Sequence, residues 1–220
     1  DGFLIAGLKV IPRSGAVLIR LCGFTRDGDE TRIEPAGSLV RVNPLHGTTD
    51  ALIDTPTVLG FDVDPTGSFV LALDSAAGLQ KVSLTVPVEI NALFDSGKVQ
   101  RCDAVRISPD SRRAVLFAVD ASIGAPVLHI PDRGWPAIRA LPAAPRGAIG
   151  FDAAGQLTIV AGAALHTYNE KRDSFSKSDH PSGADAGLLS LIAPLRTVYA
   201  TIDRRGLIVV NTETRRILTA

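Results

Sequence analysis

The sequence predicts an all-β repeat protein, a β-propeller of five four-stranded blades, and three observations predict it. A strand–turn–strand segment recurs five times along the 220 residues. Two further strand-like runs follow each copy. No long window shows a sustained apolar period of 3.6 residues, so nothing calls for a helix.

The recurring segment is Leu8–Leu21, then Phe61–Leu73, Val105–Val119, Ile149–Val160 and Leu189–Ile202. Its turns are Pro12-Arg-Ser-Gly15, Asp64-Pro-Thr-Gly67, Ser108-Pro-Asp-Ser111, Asp152-Ala-Ala-Gly155 and Ala193-Pro-Leu-Arg196. Proline presets the first central turn position, and glycine accepts the positive φ at which the chain doubles back. The flanking runs of Val, Ile, Leu and Phe suit half-buried or buried strands. With Pro12, Pro65, Pro109, Ala153 and Pro194 taken as equivalent, the steps are 53, 44, 44 and 41 residues. The first step is longer because Phe24–Ala36 reads as an inserted loop.

Third strands are expected at Ser38–Asn43, Leu79–Leu84, Pro126–Ile130, Ala164–Tyr168 and Leu207–Val210. Weaker fourth strands are expected at Asp50–Ile53, Val88–Phe94, Ala137–Leu141, Arg172–Ser176 and Arg215–Thr219. Four strands every forty-odd residues make a propeller blade. One domain, 1–220, would then hold blades at about 1–55, 56–99, 100–145, 146–186 and 187–220. One blade cannot bury both its faces, and packing blades around an axis does so. The alternative is a five-blade portion of a larger ring.

Composition excludes several classes. Apolar residues make up 45% and charged residues 21%, which is ordinary for a folded domain. No apolar run approaches the roughly 18 residues of a membrane span. The net charge is zero, so a broad nucleic-acid surface is not expected. The chain holds no Met, so Asp1 is read as following a removed leader or a longer polypeptide. Arg outnumbers Lys by 18 to 5, a bias that suggests a GC-rich bacterial source. Two cysteines, Cys22 and Cys102, are too few for a disulfide scaffold.

The turns Ser108-Pro-Asp-Ser111 and Asp64-Pro-Thr-Gly67 resemble the degenerate Ser-Pro-Asp-Gly turns of TolB-like, YVTN-like and lactonase-like bacterial propellers. The resemblance covers the chain at repeat level. It implies the fold and an extracytoplasmic (periplasmic or secreted) setting, and it is nearly silent on activity. The Trp-Asp dipeptide of WD40 repeats and the Asp-box of sialidases are absent.

Candidate sites stand against plainer readings. The Phe24–Ala36 loop carries Arg26, Asp27, Asp29, Glu30 and Arg32, mixed charge suited to a partner or to a solvated loop. Asp27-Gly-Asp-Glu30 lacks the full spacing of a calcium loop. Asp74, Asp120 and Asp203 each follow a second strand. They would form an acidic rim or, more simply, start the next turn by accepting backbone amides. Asp62, Asp103 and Arg106 lie on inner strands, where carboxylates would serve acid–base chemistry on the axis. Trp135, in a Pro-rich stretch, and Arg204, in a basic pair, are candidate partner contacts. Residues 169–187 are polar and read as a flexible loop.

His46, His129, His166 and His180 show no metal-ligand spacing. No cofactor motif, nucleophile elbow or paired Cys-x-x-Cys is present. The expectation is therefore a non-catalytic scaffold that binds a protein or other domains of its own polypeptide, without cofactor or metal. The alternative is a hydrolase or lactonase with an acidic axial site.

Overall fold

The computed structural model describes residues 2–27, 30–99, 102–117, 126–129, 138–142, 148–152, 154–161, 164–179, 188–190, 198–203, 206–211 and 216–219. Every regular element among them is a strand. β1 (Gly2–Val10), β2 (Val17–Asp27), β3 (Glu30–Asn43), β4 (Thr48–Val63), β5 (Phe69–Asp74), β6 (Gly78–Ser83) and β7 (Ile90–Phe94) pair in chain order as one antiparallel sheet. Three four-stranded sheets follow, again in chain order. They are β8 (Ala104–Ile107) to β11 (Ile138–Ala140), β12 (Ala148–Phe151) to β15 (Ser174–Asp179), and β16 (Leu188–Ser190) to β19 (Arg216–Thr219). The chain forms two compact units, Asp1–Val105 and Arg106–Ala220.

The repeat is visible in backbone hydrogen bonds. The amides of Gly67, Ser111 and Gly155 donate to the carbonyls of Asp64, Ser108 and Asp152, three residues back. All three donors have positive φ, at 77°, 60° and 77°. Ser111 holds a backbone conformation that glycine takes freely, which accounts for the degenerate turn at that copy. The first turn departs from this pattern. Arg13 and Gly15 both take φ of 68°, and the Ser14 hydroxyl bonds the Ile11 carbonyl at 3.3 Å.

In the first unit the seven-stranded sheet folds on itself. β4 pairs with β3 through its first half and with β5 from Val58 onward. Its exposed middle, Asp54–Pro56, carries the chain from the outer strand of one layer to the inner strand of the next. The two layers meet face to face: Leu18 and Leu39 of the first pack in one cluster with Val58, Val70 and Val82 of the second. Each of these is fully buried. Burial of such a side chain stabilises by about 1.5–3 kcal/mol, so this contact dominates the unit. All six residues of β5 are buried, on both faces of the strand.

Small residues set how closely the layers approach. Gly7 and Gly60 both stand five positions before their turn proline. A Cβ on Gly7 would lie 3.1 Å from the Phe61 ring, and one on Gly60 only 2.4 Å from the Asp103 carbonyl oxygen. At the turns, a Cβ on Gly67 would lie 2.6 Å from the Pro12 carbonyl of the preceding turn. In the second unit a Cβ on Gly155 would lie 3.2 Å from the Arg113 guanidinium, again next to the preceding repeat's turn. The second unit's core cluster likewise joins successive sheets, Val115 and Leu141 with Phe151, Leu157 and Ile159.

Two sequence expectations are corrected. Phe24–Ala36 is not a loop: Phe24, Thr25, Arg26 and Asp27 pair with Ile33, Arg32, Thr31 and Glu30 in a β-ribbon that lengthens β2 and β3. Its alternation of large and polar residues is short, so the charged residues masked the strand period. Residues 169–179 are strand, turn and strand rather than a flexible loop, with Asn169 Oδ1 accepting the amides of Lys171 and Arg172. Cys22 and Cys102 are free thiols.

Gly67→Ala should therefore destabilise more than Gly15→Ala. Both carry the left-handed backbone cost of about 1–2 kcal/mol, but Gly15 has nothing within 4 Å of its Cβ position. Chemical denaturation is expected to show an extra loss of about 1–3 kcal/mol for Gly67→Ala from overpacking. Equal losses would contradict this packing between turns.

Candidate functional site

On the inner strands of the first unit, Lys9 and Asp62 occupy the same register, three residues before their turn prolines. Lys9 Nζ lies 3.0 Å from Asp62 Oδ1. Asp62 is buried and Lys9 half-buried, so the carboxylate is held in an ion pair between the two strands. Asp103 precedes β8, and its carbonyl backs the close approach of Gly60. Next to it, burial and then the charge of Asp103 push the Cys102 thiol up to about 11. At neutral pH that sulfur stays protonated and is a poor nucleophile. Arg106, the second unit's residue in the Lys9 register, holds its guanidinium 5.9 Å from the Phe117 ring centre.

Asp74 is buried at the end of β5, where its carboxylate builds a turn. Its Oδ1 accepts the amides of Ala76 and Ala77 at 2.8 Å each, and the Thr57 hydroxyl donates to Oδ2 at 2.5 Å. Asp64 acts alike in its own turn, where Oδ2 accepts the Thr66 amide at 3.1 Å, the Ser68 amide at 3.3 Å and the Thr66 hydroxyl. Asp203 ends β17 (Val198–Asp203). Asp120, Asp29, Trp135 and Arg204 lie outside the described residues.

The β2–β3 ribbon places Asp27 and Arg32 on one face and Arg26 on the other, all three exposed. Gly2 of β1 pairs with Phe24, next to the ribbon pairs Thr25–Arg32 to Asp27–Glu30. At the base the Phe24 ring covers Gly2, 2.8 Å from its Cβ position, and Ile33 stands 55% exposed across from Phe24.

A cleft of about 220 Å³ opens at the opposite end of the strands, a location the sequence did not point to. Ser14, Asn43, Thr48, Gly67 and Leu84 line it, from the turns and strand ends of both layers. Arg41 crosses it. Nε and Nη2 donate to Asp50 Oδ2 at 3.2 and 2.9 Å, and Nη1 donates to the Leu84 carbonyl at 3.0 Å. The guanidinium thus ties the first layer to the second and is neutralised by its cross-strand partner. The neighbouring connections expose Leu45 and Val86, at 80% and 88%. A strand Arg facing a strand Asp six to ten residues on was the available signal, but it requires the β3–β4 register to be known.

In the second unit Arg113 plays the comparable part. Its Nη1 pairs with Glu170, its Nη2 donates to the Gly155 carbonyl, and its guanidinium sits 5.8 Å from the Phe151 ring centre. Asp110 is shifted by burial, which raises its pKa. The Ser108 hydroxyl, the Arg112 amide and the charges of Arg113 and Arg112 outweigh burial and hold it below 3.8. Among the described residues no group of three His, Cys, Asp or Glu side chains is placed to hold a metal ion. Among the described residues no helix is long and apolar enough to cross a membrane.

No family model matches the sequence, and no curated protein matches it. Solved structures do match its shape. A chain of the nidogen–laminin complex superposes with a TM-score of 0.64 at 14% identity, covering 99% of this chain and 79% of that one. The extracellular domain of a hybrid two-component system from B. thetaiotaomicron gives 0.61 at 10% identity, covering 97% of this chain and 28% of that one. A protein assigned as a 6-phosphogluconolactonase from Bacteroides uniformis gives 0.51 at 14%, covering 94% and 82%. These are propeller proteins of the NHL and YVTN kinds, so the likeness first carried by the turns extends to the fold.

One titration tests the sheet register of the second unit. His166 pairs across strands with Lys177. Burial first, then the Lys177 charge, lower the imidazole pKa below 6.5. A lowered folded-state value means that this group's stabilisation is complete above 6.5 and is lost as pH falls through the folded pKa. Lys177→Ala should raise the His166 pKa in an NMR titration; an unchanged value contradicts the β14 (Ala164–Asn169) to β15 pairing.

Proposed function

We propose that the chain supplies five four-stranded propeller blades and works as a non-catalytic scaffold that binds a protein partner or other domains of its own polypeptide. The observation that carries this reading is the β2–β3 ribbon. A charged segment held as paired strands presents Asp27 and Arg32 on one face and Arg26 on the other, so binding across the ribbon orders little that is not already ordered. Aspartates of the competing acidic-site reading are engaged structurally: Asp62 with Lys9, and Asp74 with its turn and Thr57. Asp29, Glu30, Trp135 and Arg204 belong to the same proposed contact set.

The nidogen–laminin chain comes from a complex between two proteins, whereas the Bacteroides uniformis structure is assigned to a lactonase. The fold therefore serves either kind of activity, and the choice rests on the side chains.

The experiment is photocrosslinking from position 25 in the producing cells, with lactone and glycoside hydrolysis assayed in parallel. A specific protein adduct is expected, reduced at least about tenfold by the double change Arg26→Ala and Arg32→Ala with the thermal midpoint kept, as two hot-spot contacts would give. Lactone or glycoside turnover that Asp62→Asn abolishes would overturn the proposal in favour of the hydrolase.

A further inference from the structure

The first layer has two faces, and only one of them is accounted for. Leu18 and Leu39 face the second layer and are fully buried. The other face begins with Phe3, Ile5, Leu8 and Val10, exposed at 78%, 56%, 55% and 59%. Cross-strand pairing continues it through Ile19 and Val40 on β2 and β3, both half-buried. It reaches Ala51 and Thr49 on β4.

None of the residues paired across this face, from Phe3 to Ala51, is charged. A sheet face turned to water is polar, its strands alternating apolar-in and polar-out, whereas this face carries Phe3, Ile5, Leu8 and Val10 on β1, Val17 and Ile19 on β2 and Val40 and Val42 on β3. Folded monomers rarely leave so continuous a patch open, and such patches mark contact surfaces.

Its opposite face shows what fits: the apolar side of another antiparallel four-stranded layer, seated at the distance set by small inner-strand residues. The structural neighbours supply the length. This chain covers 79% of the nidogen–laminin chain and 82% of the Bacteroides uniformis chain while itself being 99% and 94% covered. The uncovered part of each is about 45 to 60 residues, the size of one blade with its connections.

We infer that the outward face of β1–β4 is the seat of one more blade, a four-stranded sheet supplied by polypeptide outside residues 1–220. The inference rests on the five-blade reading and extends it to a ring of six. The new blade must present an apolar, uncharged face to Leu8 and Val10. Charge on either surface would be desolvated without a partner.

Maleimide labelling of Leu8→Cys in a Cys102→Ser background tests this, with Val10→Cys as a second reporter. Both native side chains are exposed, so the changes remove little packing. The same reporters are placed in residues 1–220 and in the full-length gene product. Labelling should be fast in residues 1–220 and at least tenfold slower in the full-length chain. Three outcomes overturn the inference: equal rates in both, protection already within a monomer of residues 1–220, or protection that appears only with dimers in sedimentation. Failure of any of these leaves the ribbon crosslink of the scaffold reading unaffected, so the two proposals fail separately.

Discussion

Sheets with two apolar faces are the constraint from which the rest of this structure follows. β5 is buried along its whole length, and the Leu18–Leu39 face of the first layer closes on Val70 and Val82 of the second. No helix covers either face among the described residues. Stability must come from layer against layer, and a fully buried Leu or Val contributes more than any ion pair on the surface. Closeness then becomes the limiting variable. Gly60 and Gly67 lack a Cβ where neighbouring backbone leaves no room for one, and at Gly7 a Cβ would press on the Phe61 ring.

Polar groups fit around that packing. Arg41 reaches from the first layer to the Leu84 carbonyl of the second, and Arg113 reaches the Gly155 carbonyl from the preceding repeat. Each is also balanced by a carboxylate, Asp50 or Glu170. Lys9 and Asp62 form a third such link on the inner strands. These links fix orientation, because a guanidinium with several directed bonds tolerates little displacement. Of the acidic residues singled out in the sequence, Asp62 is the one held in such a link.

Much of this was legible in the residues. The turn spacing pointed to the hairpins because Pro presets, and Gly freely accepts, backbone angles at which a chain reverses. Third and fourth strands followed from apolar runs between turns. What stayed hidden depends on partners distant in sequence. Phe24–Ala36 looked like a loop because its charges obscure a period of two over only four pairs. The cleft at Arg41 exists only once the β3–β4 register and the second layer are both in place. Asp74 could be assigned to a turn or to a rim from sequence; the amides of Ala76 and Ala77 decide its bonding. The likeness of the turns to bacterial propellers extends to the fold of the structural neighbours, and it says nothing of the contact made by the ribbon.

Native-state hydrogen exchange of the first unit tests the central claim most directly. If the layers are stable only against each other, amides of Leu18 in β2 and Leu71 in β5 open together, with one free energy and one denaturant dependence. Slow exchange at Leu71 beside fast, denaturant-independent exchange at Leu18 would show two sheets that stand alone, and the account would fail.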